Sequence, residues 1–168
     1  MKVSIITVVY NGAAFIRDCI ESILNQTHPD IEYIIIDGKS TDGTVDIVQS
    51  YGTKIARFIS EPDKGLYDAM NKGISIATGE VIGLLNADDF YRHNRVIENM
   101  VATFERTGSD AVYGDMLYVE RTNPTKLKRY WRSGWYSENA FLWGWMPGHL
   151  SFFARRWLYE NMVRFGST

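Results

Sequence analysis

Asp88 and Asp89 stand side by side just after a short apolar run, Val81-Ile82-Gly83-Leu84-Leu85, with Asn86 and Ala87 between. Adjacent carboxylates repel each other and are costly near a core unless something compensates them. A divalent cation does so, because Mg2+ and Mn2+ prefer carboxylate and phosphate oxygens. A solvated turn capping the next helix is the competing use of such a pair. Position favours the cation: in open α/β sheets, ligands bind beyond the carboxyl ends of the strands. The run Val81 to Leu85, bounded by Gly79 and the acidic pair, suits a strand buried on both faces.

The same logic applies to two earlier strands. Val3 to Val9 ends on Tyr10 and Asn11, and Ile31 to Ile36 ends on Asp37. Polar residues recurring at strand ends predict one ligand crevice. Neither G-x-G-x-x-G nor the Walker pattern occurs, which argues against a dinucleotide oxidoreductase or a P-loop NTPase. A diphosphate here needs a metal or scattered basic groups such as Lys64, in the loop Glu61-Pro62-Asp63-Lys64-Gly65.

The elements that must position these residues follow from periodicity. Asn11 is an expected N-cap for a helix from about Ala13 to Asn25, with Phe15, Ile16, Cys19, Ile20, Ile23 and Leu24 facing the sheet. A helix through Val45, Ile47 and Val48 follows the second strand. Ala56 to Ser60 is a weaker third strand. A helix over Leu66 to Ala77 is expected to close on Gly79. This alternation of strands and helices predicts a mostly parallel sheet with helices on both faces. Asn94 is the expected cap of a helix carrying Val96, Ile97, Met100, Val101 and Phe104, and Asp110 to Tyr113 reads as another strand. Met116 to Glu120 and Leu127 to Trp131 flank a turn expected at Thr122-Asn123-Pro124-Thr125. The remainder is rich in aromatics, including Trp135, Tyr136, Phe141, Trp143 and Trp145. It continues through Pro147-Gly148-His149 to the apolar run Leu150 to Ala154.

Composition narrows the class. The 168 residues are 45% hydrophobic with net charge -2, which fits one globular domain and argues against nucleic acid as a partner. One cysteine, Cys19, allows neither a disulfide framework nor a zinc cluster, and a reducing cytoplasm is the expected location. No signal peptide or membrane span is evident.

Three stretches carry a family resemblance: Val3-Ser4-Ile5-Ile6-Thr7-Val8-Val9-Tyr10-Asn11, Asp37-Gly38-Lys39-Ser40-Thr41-Asp42-Gly43-Thr44, and Gly79-Glu80 through Asn86-Ala87-Asp88-Asp89. In order and spacing they resemble family 2 glycosyltransferases from residue 2 to about 115, and more loosely to the end. The resemblance implies a GT-A fold, with 1–115 as the nucleotide-sugar-binding half and 116–168 as the start of an acceptor-side half. It implies a nucleoside-diphosphate sugar as donor, with UDP favoured over GDP, and Mn2+ or Mg2+ as cofactor. Thr7 and Tyr10 would cradle the nucleobase and Asp37 would hydrogen-bond it. Asp88 would bind the metal. The sequence departs from the family's D-x-D pattern at Asn86, which keeps an oxygen for a ribose hydroxyl or water, removes one negative charge and throws more weight on Asp89.

The implied chemistry is an inverting displacement in which a carboxylate deprotonates the acceptor hydroxyl, an effect of about 10²–10⁴-fold. By resemblance that base lies beyond residue 168. Within the chain Asp115 and Glu138 are the candidates, and His149 a candidate near phosphates or acceptor. The implied acceptor is a saccharide or lipid-linked one in cell-surface polysaccharide synthesis, with peripheral contact at the inner membrane face. The aromatic tail could pack a core, stack on sugars or touch a membrane. Two rivals stand beside this reading: a non-catalytic nucleotide-sugar-binding module, and a receiver-type domain holding Mg2+ on its acidic rim. The latter lacks carboxylates at the end of its first strand.

Overall fold

β-branched residues dominate the first two strands, and a pleated ladder suits them. The structure, a computed structural model, describes residues 1–161 apart from the side chain of Phe141. In chain order it runs β1 (Val3–Val9), α1 (Ile16–Leu24), β2 (Ile31–Asp37), α2 (Thr44–Gln49), β3 (Arg57–Ser60), α3 (Leu66–Ile76) and β4 (Val81–Leu84). It continues with α4 (Val96–Thr107), β5 (Ala111–Tyr113), β6 (Met116–Glu120), β7 (Asn123–Trp131), β8 (Phe152–Arg155) and α5 (Arg156–Asn161).

Six strands form one sheet in the order β3-β2-β1-β4-β8-β5, and β6 with β7 form a separate hairpin. β1 pairs in parallel with β2 (Ile6 opposite Ile34) and with β4 (Ile6 opposite Leu84), and β2 in parallel with β3. The apolar run at Leu150 to Ala154 yields β8, which enters antiparallel between β4 and β5. Gly83 makes that pairing fit: a Cβ there would lie 2.6 Å from the Phe153 ring.

Strand residues alternate between two cores. Ile5, Tyr33, Ile35 and Phe153 pack beneath α1 and α4, against Ile16, Ile20 and Phe104. Ile6, Ile34, Ile36 and Ile82 pack on the opposite face, against Ala69 and Met70 of α3 and Tyr159 of α5. Glu32 lies on that second face. Its carboxylate accepts hydrogen bonds from the Ser4 hydroxyl (2.5 Å), the Thr78 amide (2.7 Å) and the Thr78 hydroxyl (2.7 Å).

Four local expectations differ. α1 begins at Ile16 without a side-chain cap, and Asn11 instead holds the Thr41 amide across two loops (2.9 Å). Asn94 does not cap α4; Gln26, from the connection after α1, accepts the Ile97 amide (3.0 Å). Gly79 does not close α3, which ends at Ile76 with Ala77 as its C-cap; it sits where β1 comes so near that a Cβ would meet the Ser4 nitrogen at 2.6 Å. The hairpin turns at Arg121-Thr122, and register shifts absorb Pro124 within β7. No described helix is long and apolar enough to cross a membrane.

Candidate functional site

The parallel arrangement of β1, β2, β3 and β4 brings their carboxyl ends to one rim. Two loops are tied together there by polar contacts. The Asn11 amide donates to the Ser40 hydroxyl (2.7 Å), the Gly12 amide to Thr44 Oγ1 (2.9 Å) and the Ala13 amide to the Asp42 carboxylate (2.9 Å). The Thr44 hydroxyl and the Ala13 amide hold the exposed Asp42 carboxyl below its ordinary range. Asn11 and Lys39 adopt positive φ (51° and 65°), the strained backbone these tight turns require. The result is a fixed double loop with Tyr10 exposed on it.

Asp37 lies just below that rim and is fully buried. Its carboxylate accepts the Ser40 hydroxyl, the Ser40 amide (3.0 Å) and the Ser60 hydroxyl (2.6 Å), binding β2, its loop and β3 together. Thr7 is deeper still. Its hydroxyl accepts a bond from Tyr33 (3.2 Å) and meets the Cys19 sulfur at 3.6 Å, so the side chain supports the rim from within. Burial pushes the Cys19 thiol up to about 12, so it is an inert donor to the Asn86 carbonyl (3.5 Å).

Sequence reasoning passed over Asp63. A Cβ on Gly38 would lie 2.7 Å from its carboxylate and 3.4 Å from the Tyr10 ring, so the bare Gly38 backbone is what lets both side chains come close to it. Asp63 is held by the Gly65 amide (2.8 Å). Its place in the loop after β3 was the available signal. Lys64 is exposed on the same loop, with its amide on Asp68 (3.0 Å).

On the other side of β1, β4 ends in a turn in which the Asp89 amide donates to the Asn86 carbonyl (3.0 Å). Asp88 is exposed and Asp89 half-buried. Burial, then the charge of Asp88, raises the Asp89 carboxyl to about 6. Asn86 Oδ1 is buried without a hydrogen-bond partner. An orphaned carbonyl oxygen beside two crowded carboxylates is an oxygen-rich set lacking a positive partner, and it fits a hard divalent cation.

β8 extends the rim. His149, exposed in the 3₁₀ turn leading into β8, and Asp115, just after β5, both lie at the end of the sheet where β4 terminates. Asp115 is already engaged. It accepts the Tyr130 hydroxyl and the Ser133 amide (2.9 Å), and these bonds hold its carboxyl below the ordinary range. It is the fastening of the hairpin. Glu138 is exposed in the loop between Trp135 and Ala140. Arg121, at the hairpin turn, stacks on Phe15 at 3.9 Å, which brings the hairpin tip onto the loop after β1.

Known proteins share this organisation. The profile described as Glycosyl transferase family 2 matches residues 4–160. A PGL/p-HBAD biosynthesis glycosyltransferase of Mycobacterium bovis is 37% identical over 118 residues, which cover 68% of this chain and 46% of the relative. The putative teichuronic acid biosynthesis glycosyltransferase TuaG of Bacillus subtilis is 34% identical over 125 residues, covering 73% and 50%. Among solved structures, S. aureus TarS 1-349 superposes with a TM-score of 0.75 at 21% identity, covering 96% of this chain and 49% of that one. The mannosyltransferase PcManGT from Pyrobaculum calidifontis, in complex with GDP-Man and Mn2+, gives 0.73 at 20% identity, covering 98% and 47%. The chain thus spans about half the length of these relatives.

Proposed function

The chain belongs to glycosyl transferase family 2 and has the GT-A fold; from that premise we propose that it binds a nucleoside-diphosphate sugar at the strand-end rim. The sugar passes to a saccharide or lipid-linked acceptor by an inverting displacement, in the synthesis of a cell-surface polysaccharide. The observation that carries this reading is the end of β4, where the orphaned Asn86 oxygen and the raised Asp89 carboxyl adjoin Asp88.

Each residue has a task in it. The Tyr10 ring covers the nucleobase, which UDP supplies in preference to GDP. Asp37 accepts a base N–H by releasing one of its serine hydroxyls, a charged acceptor giving the stronger bond. Lys64 meets the diphosphate. Asn86 takes a ribose hydroxyl or water, and Asp88, supported by Asp89, holds the cation. When bound, Mn2+ or Mg2+ supplies neutralisation of charge on the departing diphosphate. Asp88 and Asp89 would supply the protein's carboxylate oxygens to the cation, and the donor's diphosphate would supply others. His149 lies on the acceptor side. Residues 1–115 form the donor half, and 116–168 begin the acceptor half.

A second reading, nucleotide-sugar binding without turnover, draws on one observation: both Asp115 oxygens are occupied by Tyr130 and Ser133. Calorimetric titration of UDP and GDP, with and without Mn2+, tests the donor site on this chain and on Asp88→Ala. Metal-dependent binding that disappears in the variant is expected. Absence of binding by either nucleotide with Mn2+ overturns the donor assignment. Sugar release from a bound donor by acceptor then separates turnover from binding alone.

A further inference from the structure

Charge is divided unevenly along this chain. Residues 116–132 carry five basic side chains (Arg121, Lys126, Lys128, Arg129 and Arg132) against one acid, Glu120, for a net charge of +4. Since the whole chain has 18 basic and 20 acidic residues, the rest holds thirteen and nineteen, a net of -6. The basic surplus is therefore concentrated in one hairpin, and all five of its cations are exposed.

The hairpin stands outside the main sheet, paired only within itself. Arg129 lies over the rings of Tyr118 and Trp131, and Arg132 over Tyr130, so aromatic faces hold these guanidinium groups along the hairpin surface. Fastened to its foot is the loop 133–146. The Ser133 amide is held by Asp115, the Trp145 indole donates to the Ser133 carbonyl (2.5 Å), and the Tyr113 hydroxyl donates to the Gly134 carbonyl (3.0 Å). Three large apolar side chains on that loop stand in water: Trp135 is 96% exposed, Trp143 87% and Leu142 81%. Exposed apolar surface concentrated like this marks an interaction site.

We propose that the β6–β7 hairpin and the loop at its foot dock the protein on an anionic bilayer surface. Clustered Lys and Arg are drawn to anionic headgroups, and indoles settle at the boundary between headgroups and acyl chains. An acidic polysaccharide would pair with the cations and stack on an indole face but would leave Leu142 hydrated, whereas a bilayer surface takes cations, indoles and the leucine together. The inference extends the donor-site reading, since a lipid-linked acceptor is met at such a surface. It rests on that reading for its purpose and on separate residues for its measurement.

The test is co-sedimentation of the whole chain with vesicles of phosphatidylcholine alone, and of phosphatidylcholine mixed with phosphatidylglycerol, at low and high salt. Binding is expected only to the mixed vesicles and is expected to weaken with salt. Lys126→Gln, Lys128→Gln and Arg132→Gln combined should weaken it about 100-fold, at the energy typical of basic side chains near an anionic surface. The paired change Trp135→Ser and Trp143→Ser should lose the blue shift of fluorescence on vesicle addition while the far-ultraviolet spectrum stays unchanged. UDP and Mn2+ titrations on the same samples keep the two readings apart, because none of these five residues lies in the donor site. Vesicle binding that ignores the hairpin charges overturns the proposal. So does retention on an acidic polysaccharide such as polygalacturonate without vesicle uptake. So does a dimer that hides the tryptophans from a soluble quencher and leaves the protein off vesicles.

Discussion

The donor rim and the hairpin lie on one chain, yet they are held in opposite ways. At the rim, side chains satisfy neighbouring loops: Asn11 holds Thr41, Asp42 holds Ala13, and Asp37 ties β2 to β3. The strands beneath it are buried on both faces. The hairpin is exposed along nearly the whole of β7; its arginines lie on aromatic rings, and Lys126 and Lys128 reach Glu120 on the neighbouring strand. A ligand that must be bound in one geometry gains from a site built before it arrives. A broad charged surface gains from side chains free to adjust. The rim is pre-organised and the hairpin adaptable.

Substitutions at the rim should therefore cost both stability and nucleotide binding, and those on the hairpin little stability and no nucleotide binding. The largest loss is expected for Asp37→Ala, which removes a fully buried carboxylate and with it the acceptor of three part-buried donors, at roughly 3–5 kcal/mol by urea denaturation. Nucleotide binding should disappear with it. A variant as stable as the parent would show that the rim is not the rigid element.

Glu32 comes next, and its contribution depends on pH. Burial alone would raise its carboxyl, but bonds from Ser4, Thr78 and Lys2 outweigh that and bring it down to about 2 from an ordinary 4.5. A depressed carboxyl stabilises the fold fully above its unfolded value, and that stability is lost as pH falls from about 4.5 through about 2. The shift corresponds to about 3 kcal/mol. Glu32→Gln should thus be destabilised by about that amount at neutral pH, with the gap to the parent closing near pH 2. A gap independent of pH would remove the charge from the explanation.

Arg121→Ala tests a seam between the two regions. Loss of its stacking on Phe15 should cost about 0.5–1 kcal/mol, the value for an exposed cation–ring contact. A larger loss would mean that the hairpin tip helps to hold the loop after β1. The smallest effect belongs to Trp135→Ser, expected within about 0.5 kcal/mol of the parent in thermal unfolding because the ring is in water.

Much of the rim was legible because a strand end is a local event: an apolar run stops and polar residues begin. Asp37, Asp88 and Asp89 could be found that way, and so could the parallel order. What was illegible depended on distant partners. Leu150 to Ala154 is an apolar run like any other until Gly83 is known to leave room for Phe153. Without that pairing, nothing in the sequence brings His149 or Asp115 to the rim. Asn11 and Asn94 have the chemistry of helix caps, but one bonds across to Thr41 and the place of the other is taken by Gln26. Asp63 escaped notice because its importance depends on the missing side chain of Gly38.

The insertion of β8 between β4 and β5 also fixes an order of events in time. During synthesis β4 is complete more than sixty residues before its neighbour emerges, since Gly83 pairs with Phe153. Until then β4 has an open edge, and β5, which pairs only with β8, has no place in the sheet. Contacts this distant slow closure and leave strand edges available for wrong pairings. A nascent chain stopped near residue 115 would hold every residue of the donor rim and still have an unfinished sheet. The same late strand that brings His149 toward the site is the one that covers the open edge of β4.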